Sequence, residues 1–171
     1  MKKLAMTFVM VFVICAPGLT YAQSQKPPDV ASELQQIESV LYETVETLRH
    51  IGDDLQELQR HTVVGVMVFQ ALGTIEFCWL AYYHIAGSLL WYPCIKAECS
   101  KAWRDVTIEQ LQGAKRTLNP SVQRLEVAYR GMKNQEALHQ VDKARDLIRS
   151  SLPLLDKAIH LLEQELRKGE K

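Results

Sequence analysis

The stretch LQQIESVLYETVETLRHIGDDLQEL, residues 34–58, decides the fold class of this 171-residue chain. Its apolar residues recur every three or four positions, and Thr44 stands at the one position of this series that is not apolar. This spacing places one apolar stripe along a helix for more than three heptads, and no stretch of comparable length alternates as a β-strand does. The stripe comprises Leu34, Ile37, Leu41, Leu48, Ile51, Leu55 and Leu58.

A second apolar stripe with the same period lies near the C-terminus, and Arg145 interrupts it once. We expect Asn134 to cap this helix and Pro153 to kink or restart it. The two stripes face each other in antiparallel register if the chain reverses near residue 100. The second stripe comprises Leu138, Val141, Ile148, Leu152, Leu155, Ile159, Leu162 and Leu166.

The centre of that reversal coincides with Pro93, the segment 94–99 and Ser100, which are typical of a turn followed by the start of a helix. The register places Leu48 opposite Leu152. We therefore predict an all-α fold, either an antiparallel helical hairpin or a bundle of about four helices. The predicted helices cover about residues 32–61, 62–92, 101–118, 120–130 and 134–168, with a break at Asn119-Pro120.

Residues 1–22 have the features of a signal peptide. Two lysines precede an apolar run, and Ala22 provides the small residue that cleavage requires. We expect cleavage before Gln23, while an uncleaved anchor is the alternative, and a single helical domain over residues 23–171. The sequence thus predicts an exported protein that is periplasmic or associated with an envelope membrane.

Three cysteines follow the predicted cleavage site: Cys78, Cys94 and Cys99. In an oxidising compartment Cys94 and Cys99 can close a small loop, and we predict a disulfide between them at the turn. Cys78 is then either a buried thiol or a partner in an intermolecular disulfide.

Residues 62–92 are the unusual part of the chain, because their 31 positions contain one formal charge, Glu76. Three placements fit this composition: a helix that inserts into a bilayer, the central helix of a soluble bundle, and an interface with a partner or a second copy. A weakly polar stripe of small residues is expected to face other helices. It comprises Gln70, Gly73, Glu76, Leu80, His84, Gly87 and Ser88.

The predicted contacts with a membrane or a partner include the uniformly apolar opposite side of this segment. They comprise Val64, Val68, Ala71, Ile75, Trp79, Tyr82, Leu89 and Trp91. Trp103 and Val106 are expected to cover part of the aromatic surface, because the chain returns beside it after the turn. A complete crossing of an inner membrane would leave Cys94 and Cys99 in a reducing cytosol, so the crossing and the disulfide exclude each other.

The sequence contains no motif for catalysis or for a cofactor, since it lacks a His-Glu-x-x-His pattern, a glycine-rich phosphate loop and a Cys-x-x-Cys pair. The predicted register brings His61 and His139 together near a glutamate, which makes them either a metal site or two solvated histidines. Glu76 and His84 lie two helical turns apart, and this spacing favours a buried hydrogen-bonded pair over a catalytic one.

The chain has 20 basic and 20 acidic residues, so it lacks the excess of lysine and arginine that is typical of nucleic-acid binding. We expect a non-catalytic adaptor, scaffold or assembly partner that uses no cofactor. It would act through protein partners or self-association and through a membrane contact at residues 62–92. A membrane-inserting or pore-forming helical protein is the alternative.

Overall fold

The computed structural model describes residues 29–63, 65–94 and 101–169. These residues form four helices: α1 (Val30–His61), α2 (Val66–Cys94), α3 (Lys101–Gly131) and α4 (Gln135–Gly169). No strand occurs among them. The predicted all-α fold is confirmed, and it takes the form of a four-helix bundle rather than a hairpin.

Each helix packs antiparallel beside the next one, and α4 closes the bundle against α1. Ser88 Oγ in α2 donates to Gln110 Oε1 in α3 at 2.7 Å, and Lys157 Nζ in α4 lies 2.7 Å from Glu33 Oε2 at the start of α1. The α1–α2 and α3–α4 junctions therefore share one end of the bundle, which we call the junction pole. The start of α1 and the end of α4 lie at the other end, the terminal pole.

The predicted stripe of α1 forms one wall of the core. Its residues from Leu34 to Leu55 are buried, and Leu58 is partly buried. Thr44 is buried in the same seam, where its hydroxyl donates to the Val40 carbonyl oxygen at 2.9 Å and lies 3.5 Å from Ser151 Oγ. Thr44, which interrupts the apolar stripe, is thus a buried polar residue whose hydroxyl has a hydrogen-bond partner inside the core.

The core positions of α4 follow the heptad period, but half of them are occupied by small residues that the predicted stripe omits. Val141, Ile148, Leu155 and Leu162 are buried as predicted. Between them lie four small buried residues, Ala137, Ala144, Ser151 and Ala158. The other members of the predicted stripe, Leu138, Leu152, Ile159 and Leu166, are partly buried beside the core. Arg145 does not interrupt the seam, because Ala144 takes the core position next to it.

α3 is one continuous helix, so the predicted break between residues 101–118 and 120–130 is wrong. Pro120 and Arg116 are both exposed residues, so the one helical hydrogen bond that the proline removes, to the Arg116 carbonyl oxygen, lies on the water-facing side of the helix. The Thr117 and Ser121 hydroxyls donate to carbonyl oxygens one turn earlier, at 3.1 and 3.3 Å.

Pro153 lies inside α4 and is exposed in the same way, so the helix does not restart there. The Ser150 and Ser151 hydroxyls both donate to the Leu147 carbonyl oxygen, within the continuous helix. The predicted cap at Asn134 is confirmed. Its Oδ1 accepts from the backbone N–H groups of Glu136 and Ala137 at 2.9 and 3.1 Å.

The register between α1 and α4 differs from the predicted one. Thr44 lies level with Ser151, and Asp54 Oδ2 accepts a hydrogen bond from Gln140 Nε2 at 2.9 Å. Extending these contacts places Leu48 level with residue 147, about one helical turn from Leu152. The prediction treated α1 and α4 as arms of one hairpin. In the bundle two further helices lie between them in sequence, and no shared turn fixes their register.

Candidate contact surface

α2 buries one of its two apolar sides. The buried residues are Val68, Ala71, Leu72, Ile75, Cys78, Tyr82, Ile85, Ala86 and Leu89. Five predicted contacts with a membrane or partner, Val68, Ala71, Ile75, Tyr82 and Leu89, therefore lie in the core in this conformation, where the bundle itself covers them. Trp79 is partly buried against the core. Val64 and the side chain of Trp91 lie outside the part of the chain that the structure describes.

The weakly polar stripe of α2 faces water, contrary to the prediction that it faces other helices. Gln70, Gly73, Glu76, Leu80 and His84 are exposed, and Gly87 and Ser88 are half-buried. Glu76 and His84 are thus two solvated side chains and not a buried pair. The His84 ring contacts the Tyr83 ring edge-on, with 6.3 Å between centroids.

Exposed large apolar side chains are concentrated on this outward side of α2 and on the adjoining edge of α3. α2 contributes Val66, Phe69, Phe77, Leu80, Tyr83 and Leu90, which are 43–68% exposed. α3 contributes Trp103, Val106 and Val127, which are 45–62% exposed. We call these nine residues the apolar face. In the described part of the chain, α4 contributes no exposed large apolar side chain.

The α3 residues of the apolar face adjoin α2. Val127 and Phe77 line the same groove between the two helices. Val106 and Trp103 lie one and two turns before Gln110, the residue that bonds Ser88 of α2. Trp103 and Val106 are themselves 62% and 45% exposed. Their predicted cover of the aromatic surface stays a prediction, because the side chains of Trp91 and Tyr92 lie outside the described residues. Trp103 and Val106 extend the exposed apolar surface.

Two open grooves of about 760 and 470 Å³ run between α2 and α3 along the apolar face. Phe77 lines both of them. Arg124 is the charged residue of the first groove, and the second has no lysine, arginine or acidic residue in its lining. The surface is therefore almost free of formal charge over most of its length.

A cluster of three aromatic residues borders the apolar face on the side of α1. The Tyr83 ring lies 6.3 Å from the Tyr42 ring in an edge-on arrangement and 6.2 Å from the Trp79 ring. Trp79 Nε1 is buried without a hydrogen-bond partner. Burial, together with Tyr83 and Glu38, raises the pKa of Tyr42, so its hydroxyl is neutral at physiological pH.

Charge is carried by the other helices. α2 has one charged residue among 29, whereas α4 has twelve among 35. Ion pairs of α4 include Arg149 with Glu126 at 2.9 Å and Arg145 with Asp142. Exposed pairs of this kind add little to stability. α2 is thus the helix with few formal charges.

The described residues contain no group of three or more His, Cys, Asp or Glu side chains that could hold a metal ion. His61 Nε2 lies 2.9 Å from Glu57 Oε1, and both side chains are exposed. His139 is an exposed residue of α4. Of the two readings of these histidines, the structure favours solvated side chains.

Cys78 is a free, fully buried thiol, which rules out the intermolecular disulfide in this conformation. Burial raises the pKa of Cys78 to about 11, so the thiol is protonated at neutral pH. The side chains of Cys94 and Cys99 lie outside the described residues. Their disulfide stays a prediction, as does the signal peptide at residues 1–22.

The segment Val66–Leu90 is long and apolar enough to cross a membrane, with a mean hydropathy of 1.2 over an 18-residue window. Within the bundle, 39% of that window is buried. A core helix of a soluble protein and a membrane helix both meet these criteria. The partial burial means that one side of α2 lies in the core and the other side is exposed.

The residues of the apolar face were missed by sequence reasoning because both sides of α2 are apolar. Phe69 and Phe77 stand among Gln70, Gly73 and Thr74, so their side resembles a weakly polar stripe rather than an apolar one. The sequence signal that could have indicated this exposed surface was the rarity of charge over the whole segment.

In comparison with known proteins, no family model, no curated protein and no solved structure matches this chain.

Proposed function

We propose that this protein is an exported, non-catalytic helical adaptor that associates with a membrane surface through its apolar face. The observation that carries the proposal is the concentration of exposed large apolar side chains on α2 and the adjoining edge of α3. Contiguous apolar surface of this kind is unusual on a monomeric soluble protein and marks a contact site. The charged side, formed mainly by α1 and α4, would remain in water and offer a surface to a protein partner.

The composition of the face favours a lipid surface as its partner. Removing a large apolar side chain from water contributes up to about 1.5–3 kcal/mol, and about half of each side chain on the face is still exposed. Tyr83 and Trp103 combine an apolar ring with a polar group, which suits the interface between headgroups and acyl chains. Glu76 is exposed and can remain in the headgroup region.

Binding of this type is expected to depend on apolar contact more than on lipid charge. Amphipathic helices that bind anionic lipids have lysine and arginine along their polar face. α2 has neither, and Arg124 is the one cation that lines the grooves of the apolar face. Zwitterionic vesicles should therefore suffice.

Flotation of the exported protein, cleaved before Gln23, with phosphatidylcholine vesicles tests the proposal. We expect the wild type to float and Phe77→Ser/Leu80→Ser to stay in the soluble fraction. Val40→Ser is the matched control, since Val40 is 44% exposed but lies on α1 outside the face. Circular dichroism checks that all variants remain helical. A wild type that does not float, or a double variant that floats as well as the control, would overturn the membrane proposal.

A membrane-inserting protein is the second candidate, and the length and hydropathy of Val66–Leu90 favour it. In that function α2 would leave the bundle and expose Tyr82 and its other core residues to lipid. Release of a dye trapped in the same vesicles separates the two candidates. Flotation without dye release supports the adaptor, whereas dye release at comparable protein concentration supports insertion.

A further inference from the structure

The junction pole holds a cavity of about 530 Å³ that is separate from the apolar face. This volume lies within the range of about 300–1,000 Å³ that is common for small-molecule sites. Its walls come from the end of α1, the start of α2 and the α3–α4 junction. The apolar lining includes Leu58, Val63, Met67, Val68, Met132 and Ala137.

Two methionines in the lining of this cavity, Met67 and Met132, make its walls adaptable. Met67 packs so close to Gly131 that a Cβ at residue 131 would lie 2.7 Å from Met67 Cγ. Met132 follows Gly131 and is buried, and its backbone N–H donates to the Tyr129 carbonyl oxygen at 3.2 Å. Unbranched thioether side chains rearrange readily around apolar groups. The cavity can thus fit chains of different shape.

The polar edge of the cavity carries positive charge. Lys133 is the charged residue of the lining, and it forms no ion pair within the described residues. Beside it, Asn134 Oδ1 is occupied by the Glu136 and Ala137 N–H groups at the start of α4. The cavity lining contains no acidic residue, and Asn134 Oδ1 already accepts two hydrogen bonds, so neither group occupies the Lys133 ammonium group.

We propose that the cavity at the junction pole binds an anionic amphiphile, with its acyl chain between Met67 and Met132 and its headgroup at Lys133. An apolar cavity with one cation at its edge is complementary to a hydrocarbon chain that ends in a carboxylate or phosphate. A free fatty acid and a membrane phospholipid share this chemistry. The inference goes beyond the proposed function, because the site lies at the end of the bundle and needs no membrane.

Methyl-labelled methionine provides the direct measurement, because Met67 and Met132 are the methionines that follow residue 22 and both line the cavity. The exported protein, cleaved before Gln23, is titrated with dodecanoate below its micellar concentration. In a parallel arm it is titrated with monomeric dihexanoylphosphatidylglycerol. Saturable shifts of both methyl signals are expected in at least one arm, and the responding arm identifies a carboxylate or a phosphodiester headgroup. No shift in either arm would overturn the inference.

The role of the headgroup is tested with dodecanol and with Lys133→Gln. We expect Lys133→Gln to weaken dodecanoate binding about tenfold, which corresponds to loss of one charge-assisted hydrogen bond, and to leave dodecanol binding unchanged. Lys143→Gln, at an exposed position of α4, is the matched control. Equal affinity of the wild type for dodecanoate and dodecanol would contradict an anion site.

These outcomes are independent of vesicle flotation. Dodecanoate binding by a protein that does not float would support the cavity proposal and reject the membrane-associated adaptor. Flotation without any methyl shift would support the membrane-associated adaptor and reject the cavity proposal.

Discussion

The Tyr82 hydroxyl donates to the Ile148 carbonyl oxygen at 3.3 Å and thereby joins α2 to α4 across the diagonal of the bundle. Tyr82 is fully buried, and burial raises the pKa of its hydroxyl well above the ordinary tyrosine value. Ser151, one turn after Ile148, lies 3.5 Å from Thr44 Oγ1. α1, α2 and α4 thus each contribute a hydroxyl to one layer of the core.

The first prediction concerns Tyr82. Removing its hydroxyl in Tyr82→Phe should lower the free energy of unfolding by about 1 kcal/mol, because one buried hydrogen bond is lost while the ring stays in place. Tyr82→Ala should cost about 3–5 kcal/mol, because it also leaves a cavity. Urea unfolding followed by circular dichroism measures both. If Tyr82→Phe is as stable as the wild type, the hydroxyl does not join the helices.

The second prediction distinguishes two leucines that the sequence presents as equivalent. Leu48 is fully buried, whereas Leu152 is only partly buried because Ser151 holds the core position. Leu48→Ala should therefore cost about 2–5 kcal/mol, and Leu152→Ala clearly less. The same urea titration serves for both variants. Equal losses would support the originally predicted register, with the two leucines opposite each other.

The third prediction is a pH dependence that arises from Glu38. Burial raises the pKa of this carboxyl above its usual value, so the folded state favours the protonated form. Ionised Glu38 thus destabilises the fold at neutral pH, and this cost disappears as the pH falls below the ordinary glutamate pKa of about 4.3.

The variant Glu38→Gln should therefore be more stable than the wild type at pH 7, with a difference that shrinks as the pH is lowered. Thermal unfolding of both proteins between pH 7 and pH 4 provides the measurement. Glu43→Gln, at an exposed position further along α1, is the control for the removal of one carboxylate from this helix. A wild type that is more stable than Glu38→Gln at pH 7 would contradict the prediction.

The fourth prediction concerns the reactivity of Cys78. A fully buried thiol with a pKa of about 11 has almost no thiolate at pH 7 and no access to reagent. In Cys94→Ser/Cys99→Ser, maleimide should label residue 78 only after denaturation, and Cys78→Ala should remove that signal. Rapid labelling of Cys78 in the native protein would mean that α2 leaves the core spontaneously.

The success of sequence reasoning differed between helices for a physical reason. α1 was predicted well because its polar face leaves one direction for the apolar stripe, and Leu34 through Leu55 had to be inside. α2 has no such polar face, so hydropathy could not decide between Tyr82 and Phe77 as the buried residue. Which side of α2 is buried depends on how the neighbouring helices pack, and a local hydropathy pattern does not contain that information.

In α4 the error arose from size rather than polarity. Leu152 is more apolar than Ser151, and the hydropathy pattern therefore selected it for the core. Close packing against α1 instead favours the small residue at this position, as it does at Ala137, Ala144 and Ala158. The contact surface was missed for a related reason, because its residues are exposed although they are apolar.

The arrangement of the two poles determines how this molecule can be tethered. Val30 and Gly169 begin and end the described bundle at the terminal pole, while the cavity opens at the junction pole. A 31-residue helix measures about 46 Å, so Val30 and Gly169 lie roughly that far from the cavity mouth. Attachment directly before Val30 or directly after Gly169 would therefore present the cavity outward, away from the chip or bead.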